Sequence, residues 1–280
     1  MKRWMLLLMV VATACEKVVQ MDVPYDGDRI VVNSFIQPDS AVYIRVTRSQ
    51  PPGGTVFPEI PDAEISLMAG STKLPLQWQV INGKGYFVSQ TPAPKNVEYN
   101  IKVIAAGLDT VTAKDTLPRQ PLIREPFGQA GGNRVKFVLK DLPGWDAYQF
   151  RLYKGVMSPS NQVVLSERLL YRFDPSYNNN FTDLIAENYR EVNFIADQRF
   201  DGHEITVVMQ TKNVNVKGEI LILEITGLTQ DAFKYYKTLE LQTTNDGNPL
   251  VDLNRVHCNV NKGYGILAGV NAARLQLEIK

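Results

Sequence analysis

The chain has 280 residues, with 30 Lys+Arg against 29 Asp+Glu and a formal net charge of +1. That balance excludes a sequence-independent nucleic-acid binder, which needs a basic excess to displace counterions from phosphates. Its 44% hydrophobic content is enough to bury a core, and its two cysteines, in no CxxC pair, make neither a disulfide scaffold nor a zinc site.

Residues 1–14 read as a secretory leader. Lys2 and Arg3 give a positive start, Trp4 to Val11 is an uninterrupted apolar run, and the small residues Ala12, Thr13 and Ala14 lead into Cys15. An apolar run this short does not cross a hydrocarbon core, which needs roughly twenty residues. The small residues before a cysteine suit lipoprotein processing, so Cys15 is expected to become the lipidated first residue of the mature protein. Its acyl chains would hold it to a membrane, each buried CH₂ contributing about 0.8 kcal/mol. Residues 15–28, broken by Pro24 and Gly27, are the expected tether.

Period-two patterning then takes over. Ile30 to Ile36 predicts a strand, and Val42, Ile44 and Val46 alternate with Tyr43, Arg45 and Thr47 as in a half-buried antiparallel strand. Further strands are predicted at 63–68, 76–81, 85–89, 98–105 and 109–115, with Asn82-Gly83 as a hairpin turn. Short strands at this density predict an immunoglobulin-like β-sandwich over 29–120, closed by Pro118 and Pro121. In the second half, Val135, Phe137 and Leu139, then Tyr148, Phe150 and Leu152, repeat the pattern, and strands are predicted at 162–171, 205–210, 219–228 and 274–279. One helix is expected near 230–242, because Ala232, Tyr235, Tyr236 and Leu239 fall on one helical face behind Thr229 as N-cap and Asp231 in the first turn. The expected fold is all-β and mainly antiparallel: the sandwich, then a β-rich domain over 121–280 with one helix.

Residues 174–188, with Asn178 to Asn180 in succession, read as a polar excursion from that second domain. Aromatic faces beside amides suit sugar or peptide ligands, so Tyr171, Tyr177, Asn180, Phe181 and Tyr189 are the candidate ligand-binding residues. The competing reading packs these rings onto their own sandwich. Gly263, Gly265 and Gly269 do not match GxGxxG and predict a backbone that bends tightly or approaches another strand closely.

No HExxH, GxSxG, SxxK or P-loop pattern is present, and His203 and His257 are the only imidazoles. Cys258, beside His257, reads as a buried thiol, since neighbours in an extended segment face opposite ways. The acidic pairs Asp141 with Asp146, and Asp246 with Asp252, sit among turn residues and are expected to make turns. No catalytic residue, metal or cofactor is expected.

Several segments together resemble a known family: Cys15 with its short tether, Arg29-Ile30-Val31-Val32-Asn33, Val97 to Val103, Thr116-Leu117-Pro118, Tyr236 to Leu239, Asn248-Pro249-Leu250, and Asn259 to Gly269. The pattern resembles a Bacteroidetes lipoprotein family catalogued as a domain of unknown function, number 4249. That resemblance implies an outer-membrane lipoprotein often found with SusC-type TonB-dependent transporters, and brings no catalytic residues. The expected function is therefore an accessory or ligand-capturing subunit of such a transporter. The alternative is a structural or envelope-assembly lipoprotein that binds other outer-membrane proteins and no small ligand. The expected partners are the membrane and a TonB-dependent barrel or another envelope protein, with the globular part facing either the periplasm or the cell surface.

Overall fold

The computed structural model describes residues 25, 27–51, 53–178, 188–245 and 255–280. Residues 1–24, which hold the expected leader, Cys15 and most of the expected tether, lie outside the described residues together with Asp26, as do Asn180, Phe181, Asp246 and Asp252.

The first half forms β1 (Ile30–Ile36), β2 (Ala41–Arg48), β3 (Glu64–Ala69), β4 (Thr72–Leu74), β5 (Leu76–Ile81), β6 (Lys84–Pro92), β7 (Tyr99–Ile104) and β8 (Val111–Asp115). The second half opens with β9 (Leu122–Gly128), β10 (Arg134–Lys140), β11 (Ala147–Met157), β12 (Val163–Arg168) and β13 (Tyr171–Phe173), followed by the helical turn α1 (Pro175–Asn178). It continues through β14 (Asn193–Ala196), β15 (Glu204–Thr211), β16 (Ile220–Leu228), the helix α2 (Gln230–Asn245) and β17 (Tyr264–Glu278). The chain is all-β, as its period-two patterning predicts. Asn82 and Gly83 both take positive φ, 50° and 74°, which is the twist a two-residue hairpin between β5 and β6 requires.

One nine-stranded sheet runs through the whole molecule in the order β12-β11-β16-β17-β1-β2-β6-β5, with β14 also on β11. The sheet β4-β3-β7-β8 packs on its β1-β2-β6 part around Val32, Ile44, Leu67, Tyr99 and Val103. The sheet β13-β15-β10-β9 packs on its β11-β16-β17 part around Phe137, Phe150, Met209, Leu223 and Leu277. These are two sandwiches sharing one sheet.

The strand that joins them is β17. Its first part, Tyr264 to Gly269, pairs in parallel with β1, and its second part, Val270 to Glu278, pairs antiparallel with β16. The sandwich expected over 29–120 thus takes one strand from the far end of the chain, and Leu267 fills its core. The glycines make this possible by close approach within a strand. A Cβ on Gly265 would lie 2.0 Å from the Val32 carbonyl oxygen, and one on Gly269 would lie 1.8 Å from that of Thr116. At about 3.3 Å per residue, the 15 residues of β17 extend about 50 Å, from the start of β1 to the start of β16.

The helix α2 lies on the outer face of the shared sheet. Thr229 caps it, its hydroxyl accepting the Ala232 N–H at 3.3 Å while donating to Asp115 at 2.6 Å. Tyr236 stacks between Phe35 and Phe194, with ring centroids 5.1 Å away on each side. The aromatic stripe of this helix is core packing, although Leu239, expected on the same stripe, stays exposed. The segment expected as one strand over 162–171 is two, β12 and β13, which join different sheets.

Candidate functional site

The excursion begins and ends on the outer face of the sheet β13-β15-β10-β9. Along β10, Val135, Phe137 and Leu139 point into the core, so Arg134 and Lys136 point out. The register sets Arg134 opposite Gln210 of β15, and Gln210 opposite Arg172 of β13. Three polar side chains from three strands therefore stand in one row. Arg172 Nε donates to Gln210 Oε1 at 2.9 Å.

An aromatic ring closes each end of the row. The Arg134 guanidinium carbon lies 5.6 Å from the centroid of Tyr177, and that of Arg172 lies 5.2 Å from the centroid of Tyr189. Next in the sheet, the Lys136 ammonium sits 4.7 Å from the exposed ring of Phe127. Arg134 is held in place by the buried carboxylate of Asp174, which also accepts the Ser176 N–H at 2.9 Å. Burial pushes the Asp174 carboxyl up, but the guanidinium and the N–H outweigh it, leaving the group below its ordinary value.

Beside the row, at the open end of this sandwich, is a cleft of about 290 Å³. Its floor includes Leu169 and Leu221, and its walls carry two ion pairs, Lys154 with Glu219 at 3.0 Å and Arg168 with Glu191 at 3.0 Å. Val214 is 61% exposed where the loop after β15 forms part of its lining. Asn215 anchors that loop, its side-chain amide donating to the carbonyls of Arg134 and Gln129 at 3.1 and 3.3 Å. Row and cleft are contiguous, because the cleft-lining Leu170 is two residues from Arg172 and the cleft-lining Thr211 is next to Gln210. The surface can stack a flat apolar ligand face on Tyr177 or Tyr189 and satisfy polar groups from Gln210 and the ion pairs.

Of the residues singled out from sequence, Tyr177 and Tyr189 are brought to the two ends of this row. Tyr171 is not part of it. Its ring is fully buried in the second core, and its hydroxyl donates to the Phe150 carbonyl at 2.7 Å. As part of a strand that alternates with Arg172, it had to point inward, so here the packing reading applies. The row partners Arg134, Gln210 and Arg172 were not singled out. The signal for them was a polar residue at an outward strand position near an aromatic-rich excursion.

A second cluster joins Asp141, Asp197 and Asp201, one oxygen from each lying within 4.8 Å of the others. Its carboxylates tie two turns together. Asp141 accepts the Tyr148 hydroxyl at 2.5 Å and the Gly202 N–H at 2.7 Å, Asp197 accepts the Asp146 N–H at 2.7 Å, and Asp201 accepts the Gly144 N–H at 2.9 Å. Burial raises the carboxyls of Asp146 and Asp197 above their ordinary values, only partly offset at Asp146 by Arg119 at 2.5 Å. The oxygen donor set is of the type hard cations use, but every carboxylate is already engaged by these turns.

His203 is exposed, and His257 pairs with Asp231 at the start of α2, Nε2 to Oδ1 2.8 Å. Cys258 is half-buried against the first core and donates weakly to the carbonyls of Val260 and Gly263.

A family model described as Domain of unknown function (DUF4249) matches residues 16–276. No curated protein matches the chain. Since that model spans nearly all of the chain, the protein belongs to the DUF4249 family.

Proposed function

We propose that this protein is a lipid-anchored outer-membrane lipoprotein that serves as an accessory or ligand-capturing subunit of a SusC-type TonB-dependent transporter. The leader and Cys15 support the anchor, and the resemblance described above supports the partner. The observation that carries the reading is placement. The tether joins β1 at one end of β17, whereas the cleft lies beside Glu219 and Leu221, next to the other end of β17. About 50 Å of rigid strand separates the anchored pole from the recognition surface. In this reading the acyl chains confine the protein to the membrane plane, so weak contacts with a neighbouring barrel are enough to hold it there. The row and cleft then meet cargo or the barrel's loops away from the lipid.

The test is affinity purification of the tagged, lipidated protein from detergent-solubilised outer membranes, with co-purifying proteins identified by mass spectrometry. A TonB-dependent barrel near stoichiometry is the expected result. Recovery of assembly or secretion components without a barrel would overturn the transport reading in favour of an envelope-assembly role. Cys15→Ala is expected to release the protein from membranes, and retention of that variant would remove the anchor from the account.

A further inference from the structure

The pole where the tether joins is built unlike the rest of the first sandwich. The loop that follows β2 is fastened on both sides. The Ser49 N–H donates to the Arg29 carbonyl at 2.9 Å, the Arg48 N–H to the Pro58 carbonyl at 2.8 Å, and the Ile60 N–H to the Val46 carbonyl at 3.2 Å. Glu59 locks this loop to the neighbouring hairpin by accepting the Gly85 N–H at 2.8 Å, and it also faces Arg45 at 3.6 Å. Between these fastenings the loop presents Val56 and Phe57 to solvent, 74% and 49% exposed, and the hairpin adds Val80 at 67%. Single exposed apolar residues are ordinary. Three of them, on a pinned loop and on the β5–β6 hairpin bonded to it, gather at the end where β1 begins.

We propose that this pole rests on the phospholipid bilayer, with Val56 and Phe57 entering the boundary between headgroups and acyl chains and Val80 beside them. The inference rests on the lipid-anchor reading and goes beyond it by giving the anchored protein a fixed orientation. From Cys15 to Arg29 is fourteen residues, which fully extended reach about 50 Å at most, so in every anchored copy this pole stays within about 50 Å of the lipid. Within that radius the bilayer is present at a high effective concentration, and a shallow apolar contact is occupied although it would be negligible for an untethered protein. Lys84 of the hairpin and Lys262 next to the start of β17 are exposed at this end and make no ion pair among the described residues, so both are free to meet lipid phosphates. A bilayer held in this way keeps β17 steeply inclined to the membrane, and the recognition surface stands off it.

The experiment uses the full-length lipidated protein carrying Phe57→Trp, reconstituted in phosphatidylethanolamine–phosphatidylglycerol vesicles with and without bromine on the acyl chains. Flotation is measured on the same samples. The expected result is flotation together with a loss of about half of the introduced indole's emission in brominated vesicles, as for side chains at the headgroup–acyl boundary. Wild-type protein supplies the background from Trp78 and Trp145, and Val214→Trp, at the other pole, is expected to remain unquenched. Flotation without quenching of the Phe57→Trp indole overturns the proposal while leaving the anchor intact. Quenching of Val214→Trp instead overturns it by reversing the orientation. Failure to float overturns the anchor, and the proposal with it. Phe57 is exposed, so the variant's melting temperature is expected to match the wild type's and serves as the folding control.

Discussion

Gly269→Ala is expected to damage the fold through its added methyl alone, since Gly269, unlike Gly265 in the same strand, does not take a positive φ. Gly269 lies where β17 passes from its parallel pairing with β1 to its antiparallel pairing with β16. Its N–H donates to Asp115 at 2.9 Å and its carbonyl accepts the Thr229 N–H at 3.3 Å. A Cβ there would lie 1.8 Å from the Thr116 oxygen, 2.8 Å from its carbon and 3.0 Å from the Leu117 Cα, all backbone atoms that no rotamer change can move. The two segments must separate by more than an ångström. Overpacking of this kind costs about 1–3 kcal/mol or more, and losing the charge-assisted bond to Asp115 adds about 1.5–3, giving roughly 3–5 kcal/mol in all. For a domain of this size each kcal/mol moves the melting temperature by about 2–4 °C, so a drop of about 6–20 °C is expected in calorimetry. Gly107→Ala is the control: its φ is +73° but a Cβ meets nothing within 4 Å, so only the conformational cost, about 1 kcal/mol, applies. A Gly269→Ala protein melting within 2 °C of wild type, or no lower than Gly107→Ala, would refute the close-approach account of this strand.

Glu224→Gln is expected to cost about 1.5–3 kcal/mol, because Arg151 and Arg274 flank Glu224 in register on β11 and β17, at 3.2 and 2.6 Å, and lose the charge they share while staying in reach of water. Urea denaturation measures this, and a midpoint unchanged from wild type would contradict it. The pH dependence has two signs. Glu224 and Asp174 are held below their ordinary values by arginines despite burial, so their contribution is in place above 4.5 and 3.8 and is lost as the pH falls through the lower folded values. Asp146 and Asp197 are raised by burial, so their charges weaken the fold at neutral pH and the penalty disappears as the pH falls through the raised values. Asp197→Asn, which keeps an acceptor for the Asp146 N–H, is therefore expected to raise the melting temperature at about pH 7 and to change it little at about pH 4; equal shifts at both would refute the assignment. Tyr177→Ala removes an exposed ring stacked on Arg134, at a stability cost of about 0.5–1 kcal/mol, while reducing the partner protein recovered on affinity purification; undiminished recovery would remove the row from the recognition surface.

What the sequence makes legible here is what depends on neighbours along the chain. Alternation identifies β2 and β10 because one face of each is buried, Asn82-Gly83 identifies its hairpin because few other pairs tolerate that backbone, and Thr229 with Asp231 identifies the start of α2. β9 is harder to read, since Glu125 takes a positive φ and the pairing with β10 shifts register between Lys136 and Val138. The parallel pairing of Val31–Ile36 with Tyr264–Gly269 is hidden for a different reason: it joins segments more than two hundred residues apart, and each carries only an unspecific apolar run. The site is hidden in the same way. Tyr177 and Tyr189 are visible as aromatics in an asparagine-rich excursion, but Arg134, Gln210 and Arg172 become a row only when β10, β15 and β13 are laid side by side.

The shared strand is also what turns two sandwiches into one device. Had β17 closed only the second sandwich, the first would be a separate bead and the 116–121 segment a swivel. Instead β17 is bonded on one side to β1 and on the other to β16, and the crossing segment is fastened to its middle. Asn271 donates to the Pro118 carbonyl at 3.1 Å, Gln120 to the Ala272 carbonyl at 3.1 Å, and Gly269 to Asp115. Bending between the sandwiches would break a continuous ladder of backbone hydrogen bonds, each worth about 1 kcal/mol net, together with the packing of α2 across the junction on Phe35, Ala147 and Leu228. A rigid body follows. A contact at the pole where β1 begins therefore determines where the row and cleft point, and a ligand or partner engaged at the far pole bears directly on that end.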